Sequence, residues 1–264
     1  MEDIAICITA GEQSENHVGM QINGNGLAKS GFTIDDLLLF KTTLEEKKIN
    51  CEYYRLDSVL EDKNHLNAAA LLIIRNGVDY IINDNSKSML KEQVNYEWDK
   101  KYWDTRRSKV LNKHARANVC FGEYNIEPNY EEKQGRIVAY KDVKYLDILR
   151  QNLCKMLGKK GENLICEGNR YFDIKKCGIG WHGDSERKKV IGLRLGEKMM
   201  FKIRWYFKCN AVSESINIEL EDGDMIALLL DEKNQETSVE GVFVYRSESL
   251  VGKKAKSGWL DWVL

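Results

Sequence analysis

The sequence predicts an α+β protein, with an α/β layer over residues 1–100 followed by a β-rich sandwich or barrel over 101–264. Three observations carry that expectation. Strand-like and helix-like segments alternate in the first third, whereas the last third is a succession of closely spaced strand-like runs. The 264 residues, 43% of them hydrophobic, are also ample for a packed core.

In chain order, "IAICITA" is a short apolar run that fits a buried strand. "TIDDLLLFKTTLEEKK" has helical periodicity. Thr33 supplies a capping hydroxyl and Asp35 and Asp36 suit the positive end of the dipole, so a helix is expected from there to about Lys48. "ALLIIRNGVDYII" is β-rich and broken at Asn76-Gly77. "KSMLKEQVNYEWDKKYWDTRRSKVL" reads as a helix leading into an extended segment, which sets the domain boundary near residues 95–105. Strands are then expected at "VCFG" and "GRIVAY", and a helix at "VKYLDILRQNLCKML" packed outside the barrel. The β-rich remainder runs through "NRYFDI", "KVIGLRLG", "MMFKIRWYFKC", "SINIELEDGDMIALLLD" and "GVFVYRS". There is no internal repeat, and the single proline, Pro128, gives no Pro-rich linker.

Charge excludes some functions. With 40 Lys+Arg against 41 Asp+Glu, the whole chain has no general pull toward nucleic acid or anionic membrane, so such binding would need a local patch. No apolar run approaches the ~18 residues of a membrane span, and Met1-Glu2-Asp3 lacks the basic start of a signal peptide. A soluble, cytoplasmic protein is expected. The seven cysteines show no CxxC spacing, which fits free thiols better than a disulfide framework or a cysteine zinc site. "GMQINGNGLAKSG" lacks both phosphate-loop spacings, and no Gly-x-Ser-x-Gly elbow supports a hydrolase.

His182 and Asp184 are two residues apart, so on an extended strand end they share a face and can meet one ion. A non-haem Fe(II) oxygenase needs this pair plus a second histidine, leaving three positions open. The stretch "GNRYFDIKKCGIGWHGDSERKKVIGLRLGE" resembles the AlkB-like family of Fe(II)/2-oxoglutarate dioxygenases, with its Asn-x-Tyr strand, its "GWHSDDE"-type turn and its following strand ending in "SLG". "ELEDGDMIALL" is similar to that family's later Leu-x-x-Gly-Asp-Leu strand, and "HARANVCFGE" to an earlier one. The likeness covers roughly residues 105 to 250 and extends to a branch in large DNA viruses and microbes that carries an N-terminal extension.

The resemblance implies a double-stranded β-helix (jelly-roll) barrel, with Fe(II) on His182 and Asp184 and 2-oxoglutarate on Asn169, Tyr171 and Arg246. It also implies oxidative hydroxylation or demethylation of a nucleobase or nucleotide-type substrate. The chain departs from the pattern at the distal histidine: its four histidines are His17, His65, His114 and His182, and Ser247 stands where the imidazole is expected. Glu248, Asp231 or His114 could complete the site, water could fill the position, or iron chemistry could be lost. In the last case the barrel would be an inactive binding module for a ligand or protein partner. Contacts would then come from the polar loop "GEQSENHVGMQ", with Asn16 and His17, and from "RRSKVLNKHARAN", with His114 and Arg116. Tyr102, Trp103 and Phe121 stand near that basic run as candidate base-stacking rings.

Overall fold

The computed structural model describes residues 4–60, 69–183, 187–207, 210–230 and 241–246. The chain opens with β1 (Ala5–Gly11), a short hairpin β2 (Gln13–Glu15) and β3 (Ile22–Gly24), helix α1 (Ile34–Glu45), β4 (Cys51–Arg55) and β5 (Ala69–Ile74). Helices α2 (Gly77–Ile82) and α3 (Ser86–Val94) follow, then a second hairpin, β6 (Lys101–Asp104) and β7 (Lys109–Asn112). Next come β8 (Ala117–Gly122), β9 (Ile137–Ala139) and α4 (Lys144–Leu157). The rest is strand: β10 (Ile165–Tyr171), β11 (Ile179–His182), β12 (Val190–Gly196), β13 (Met199–Phe207), β14 (Asn210–Ala211), β15 (Ile216–Leu220), β16 (Met225–Leu230) and β17 (Gly241–Arg246).

Several of these elements form as their residues dictate. Thr33 caps α1 in a capping box with Asp36, worth about 1 kcal/mol; the helix ends at Glu45, short of the expected Lys48. The expected β-rich reading of "VDYII" is corrected: Asn76 adopts the left-handed conformation and the segment turns into α2. Val78, Ile81 and Ile82 then fall at helical spacing and are all buried. The charged stretch after α3 becomes the β6–β7 hairpin.

The main sheet has the order β4-β5-β16-β12-β1-β10-β8-β9, and a second sheet has the order β11-β17-β13-β14 with β15 also on β13. One face of the main sheet carries Ile6, Ile8, Leu72, Val119, Leu193 and Ala227, which pack on the apolar faces of α1 and α4. Its other face meets the second sheet, where Leu71, Val190, Ile226 and Leu228 bury Phe201, Ile203 and Trp205. Full burial of each such side chain contributes about 1.5–3 kcal/mol. The layers are therefore helices, main sheet, second sheet.

The expected boundary near residue 100 does not divide the main sheet. β1 lies between β12 and β10, and β5 pairs with β16, so strands from both sides of that boundary interleave. Pairing partners this far apart in sequence leave no local trace, which is why the order could not be read from the alternation of segments.

Candidate functional site

The site is built from the face of the main sheet that looks toward the second sheet. On β10, Cys166 packs toward the helices, and Gly168 faces the same side because a Cβ there would lie 2.7 Å from the Trp98 ring. Alternation then sends Glu167, Asn169 and Tyr171 to the inter-sheet side. Register extends this face across the neighbouring strands. Asn118, Asn169, Cys7 and Arg194 are consecutive partners on β8, β10, β1 and β12, forming one row. The next row along holds Tyr171, Ala5 and Gly196; the row on the other side holds Cys120, Glu167, Thr9 and Gly192.

This face is unusually polar for a sheet interior. Asn169 accepts at Oδ1 from Arg116 Nε (2.7 Å) and from Asn118 Nδ2, so its amide NH2 is the group it can turn to a ligand. Tyr171 is fully buried among Ala5, Cys7, Cys177 and Met199, and its hydroxyl has no hydrogen-bond partner among the described residues. Arg194 is also fully buried; its guanidinium carbon lies 5.9 Å from the Tyr171 ring centre, and Nη1 points at Met199 Sδ at 3.4 Å.

Two carboxylates fix the segment that follows His182. Glu167 accepts from Arg187 Nη2 at 2.8 Å in a buried ion pair. Glu12 accepts from the backbone amides of Ala28, Lys188 and Lys189 at 3.1, 2.7 and 3.0 Å. Burial raises the Glu12 carboxyl, but these amides outweigh it and hold the group below the usual carboxylate range.

His182 ends β11 in the second sheet and is half-buried. Its Nδ1 is 2.8 Å from Gly180 O; a carbonyl can only accept, so Nδ1 carries a proton and donates it there. Asp184, Asp231, Ser247 and Glu248 lie outside the described residues. Among the described residues no group of three His, Cys, Asp or Glu side chains gathers around an ion. The described residues therefore do not make a complete iron centre. On the sheet itself, Tyr171 places a buried hydroxyl one row from the Asn169 carboxamide and the Arg194 guanidinium.

Arg246 ends β17 opposite Ile179, while His182 stands opposite Val244.

The N-terminal loop is tied into the fold at Asn16, while Val18 and Gly19 on the same loop are exposed. Asn16 is buried, donates to Asp99 Oδ2 (2.9 Å) and accepts from Lys113 Nζ (2.6 Å). Asp99 also accepts from Tyr130 Oη (2.8 Å) and the Arg136 amide (2.6 Å). Asn16, a weak contact candidate in the sequence, thus has both its carboxamide oxygen and its nitrogen bonded within the protein. Burial, with Arg116 opposing the pull of Asp99, lowers the Lys113 ammonium to about 8. His17 stacks on Tyr102 with ring centres 3.8 Å apart, and burial drops its imidazole to about 4. His114 is exposed, and Arg116 is half-buried against Asn169. Phe121, expected as a candidate stacking ring, is buried in the helix-side core.

Arg194, Glu12 and the Glu167–Arg187 pair were not singled out by the motif. The one signal in the sequence was the arginine inside "VIGLRLG", a charge in the middle of an apolar strand.

No protein-family model matches the chain. It is 40% identical over 226 residues to "Uncharacterized protein R156" of Acanthamoeba polyphaga mimivirus, a match that spans 83% of this chain and 85% of that protein. At that identity and coverage, the chain belongs to the family of this mimivirus protein.

Proposed function

We propose that the chain is a jelly-roll protein of the AlkB-like oxygenase type that binds a small dicarboxylate of the 2-oxoglutarate class between its two sheets. The observation that carries this reading is the Tyr171 hydroxyl, buried without a protein partner among the described residues and one row from Asn169 and Arg194. Leaving a buried hydroxyl unpaired costs about 1–3 kcal/mol, a cost that a bound carboxylate would remove. The jelly-roll reading is supported by the path of the chain. It crosses from β10 in the main sheet to β11 in the second, back to β12, over to β13 and β15, back to β16, and over again to β17.

A second reading, an active Fe(II)/2-oxoglutarate dioxygenase, is favoured by the His182 tautomer. In that case His182 and Asp184 would hold ferrous iron, and the metal and 2-oxoglutarate together would supply the oxidant for a C–H bond of a nucleobase-type substrate. Of the two expected iron ligands, His182 is among the described residues and Asp184 lies outside them.

Isothermal titration of the whole protein with 2-oxoglutarate, with and without Mn(II), separates these readings. Binding of 2-oxoglutarate alone supports the dicarboxylate site. Binding strengthened by Mn(II), with succinate release under Fe(II) and oxygen, supports the enzyme. No binding of 2-oxoglutarate under either condition removes the proposal.

A further inference from the structure

The two ends of the main sheet are finished differently. At one end β9 is three residues long, and its Ile137 also bridges to Ile126, which covers part of its outer side. At the other end β4 pairs with β5 and has no strand beyond it among the described residues. Its five residues, Cys51 to Arg55, include no proline and no lysine, the residues with which folded proteins commonly blunt an edge.

Register fixes which groups that edge presents. The Arg75 amide donates to Asn50 O at 3.0 Å, so Asn50 and, by alternation, Glu52 and Tyr54 turn their backbone groups toward β5. Cys51, Tyr53 and Arg55 therefore turn theirs outward. The Arg55 carbonyl is engaged by Ser58 Oγ, which leaves the three amides and the carbonyls of Cys51 and Tyr53 open to a further strand. An apolar ledge stands beside them. Burial, and after it the Glu45 carboxylate, raises the Cys51 thiol to about 11 against the pull of Lys41, so the Lys41–Glu45 side of α1 lies over β4. Leu38 belongs to that stripe, one turn before Lys41. It is 40% exposed, and its neighbour Leu39 is 70% exposed.

We propose that β4 pairs with β4 of a second copy of this chain, antiparallel about Tyr53, joining two main sheets into one and bringing the Leu38 ledges of the two α1 helices to face each other across the join.

The edge is complementary to itself. A two-fold axis perpendicular to the sheet keeps the helix side of one copy beside the helix side of the other, so residues brought opposite must share a face. Centring on Tyr53 sets Tyr53 opposite itself, Glu52 opposite Tyr54 and Cys51 opposite Arg55, which matches the whole strand with no like charges facing. The Tyr53 amide then meets the Tyr53 carbonyl of the second copy and the Arg55 amide meets its Cys51 carbonyl, each contact made twice by symmetry. Centring on Glu52 would set that carboxylate against itself, and centring on Tyr54 would leave Cys51 and Glu52 beyond the partner strand. Backbone pairing alone would accept any extended peptide. A second copy also brings its own exposed leucines, so both ledges leave water in one step.

The test is sedimentation equilibrium of the full chain over a wide range of concentration, with hydrogen exchange read amide by amide. Wild type should form a dimer. Leu38→Glu/Leu39→Glu alters side chains that are exposed in the single copy, so it should keep the fold and weaken association by about tenfold or more. Arg55 has φ −82°, which a proline accepts, so Arg55→Pro removes an outward amide without touching the β5 pairing and should weaken the dimer as well. Arg55→Ala loses the same ion pair to Asp57 but keeps the amide, and should remain dimeric. The Tyr53 and Arg55 amides should exchange slowly in the dimer and quickly in Leu38→Glu/Leu39→Glu, with Glu52 and Tyr54 slow in both. Circular dichroism melts identify any variant that fails to fold; if the leucine variant does, the contrast between Arg55→Pro and Arg55→Ala decides.

A wild type that stays monomeric throughout overturns the proposal, and slow Tyr53 and Arg55 amides in that monomer would mean that the chain covers its own edge. A dimer that the leucine pair and Arg55→Pro both leave at full strength overturns it too, because the two copies would then meet elsewhere.

Discussion

Replacing Tyr171 with phenylalanine should stabilise the unliganded protein. The substitution removes one oxygen and keeps the ring, with its contacts to Ala5, Cys7, Cys177 and Met199. That oxygen is buried and has no partner among the described residues. A buried hydroxyl left unpaired costs about 1–3 kcal/mol, and the small void left by its removal returns part of that, so a net gain of about 1 kcal/mol is expected. For a chain of this size, that shifts Tm by about 2–4 °C. Saturating ligand should reverse the order, because a ligand at a hundred times its Kd stabilises wild type by about 2.7 kcal/mol and the variant by less. Urea melts with and without 2-oxoglutarate measure both quantities. A Tyr171→Phe protein less stable than wild type by 1 kcal/mol or more, without ligand, would show that the hydroxyl is satisfied within the protein and would refute the reasoning.

Other outcomes follow from the same geometry. Glu167→Gln should destabilise by about 3–5 kcal/mol, because it leaves Arg187 as a buried charge without its carboxylate, and the Glu167→Gln/Arg187→Met double variant should cost less than the two single changes added; additive urea-melt values would contradict this. Gly135→Ala should be severely destabilising, since its Cβ would sit 2.6 Å from Asn16 Cγ and 2.9 Å from Asp99 Oδ2; a variant with an unchanged melt would show that the Asn16 junction yields. His17 is held neutral, with its folded value depressed to about 4 against an ordinary 6.5. The unfolded chain therefore binds the extra proton first, and stability falls as pH drops from about 6.5 toward 4. His17→Phe, which keeps a ring against Tyr102, should flatten that part of the pH–stability curve, and an unchanged slope would assign it elsewhere.

Local signals in the sequence were reliable where the cause was itself local. The Thr33 cap, the α4 periodicity and the late strand runs all appear in the structure because capping, amphipathicity and alternation act within a few residues. The order of the main sheet was not legible. Nothing near "IAICITA" announces that its partners are β10 and β12, more than 150 residues away. The candidate site divides along the same line. The resemblance singled out Asn169 and Tyr171, which the structure places on one strand, β10. Arg194 stands in the row of Asn169 only through the pairing of β12 with β1, a register that the sequence does not state. The surroundings of Asn16 were not legible for a related reason: a polar loop looks solvated until Asp99, Lys113 and Gly135 close over it from distant parts of the chain.

The most direct test of the central claim is a crystal structure of the full chain grown with saturating 2-oxoglutarate. The account predicts density for the dicarboxylate between the two sheets, with a carboxylate within hydrogen-bond reach of Tyr171 Oη. Density for the ligand anywhere else, or an empty inter-sheet face in crystals shown to contain it, would contradict the account.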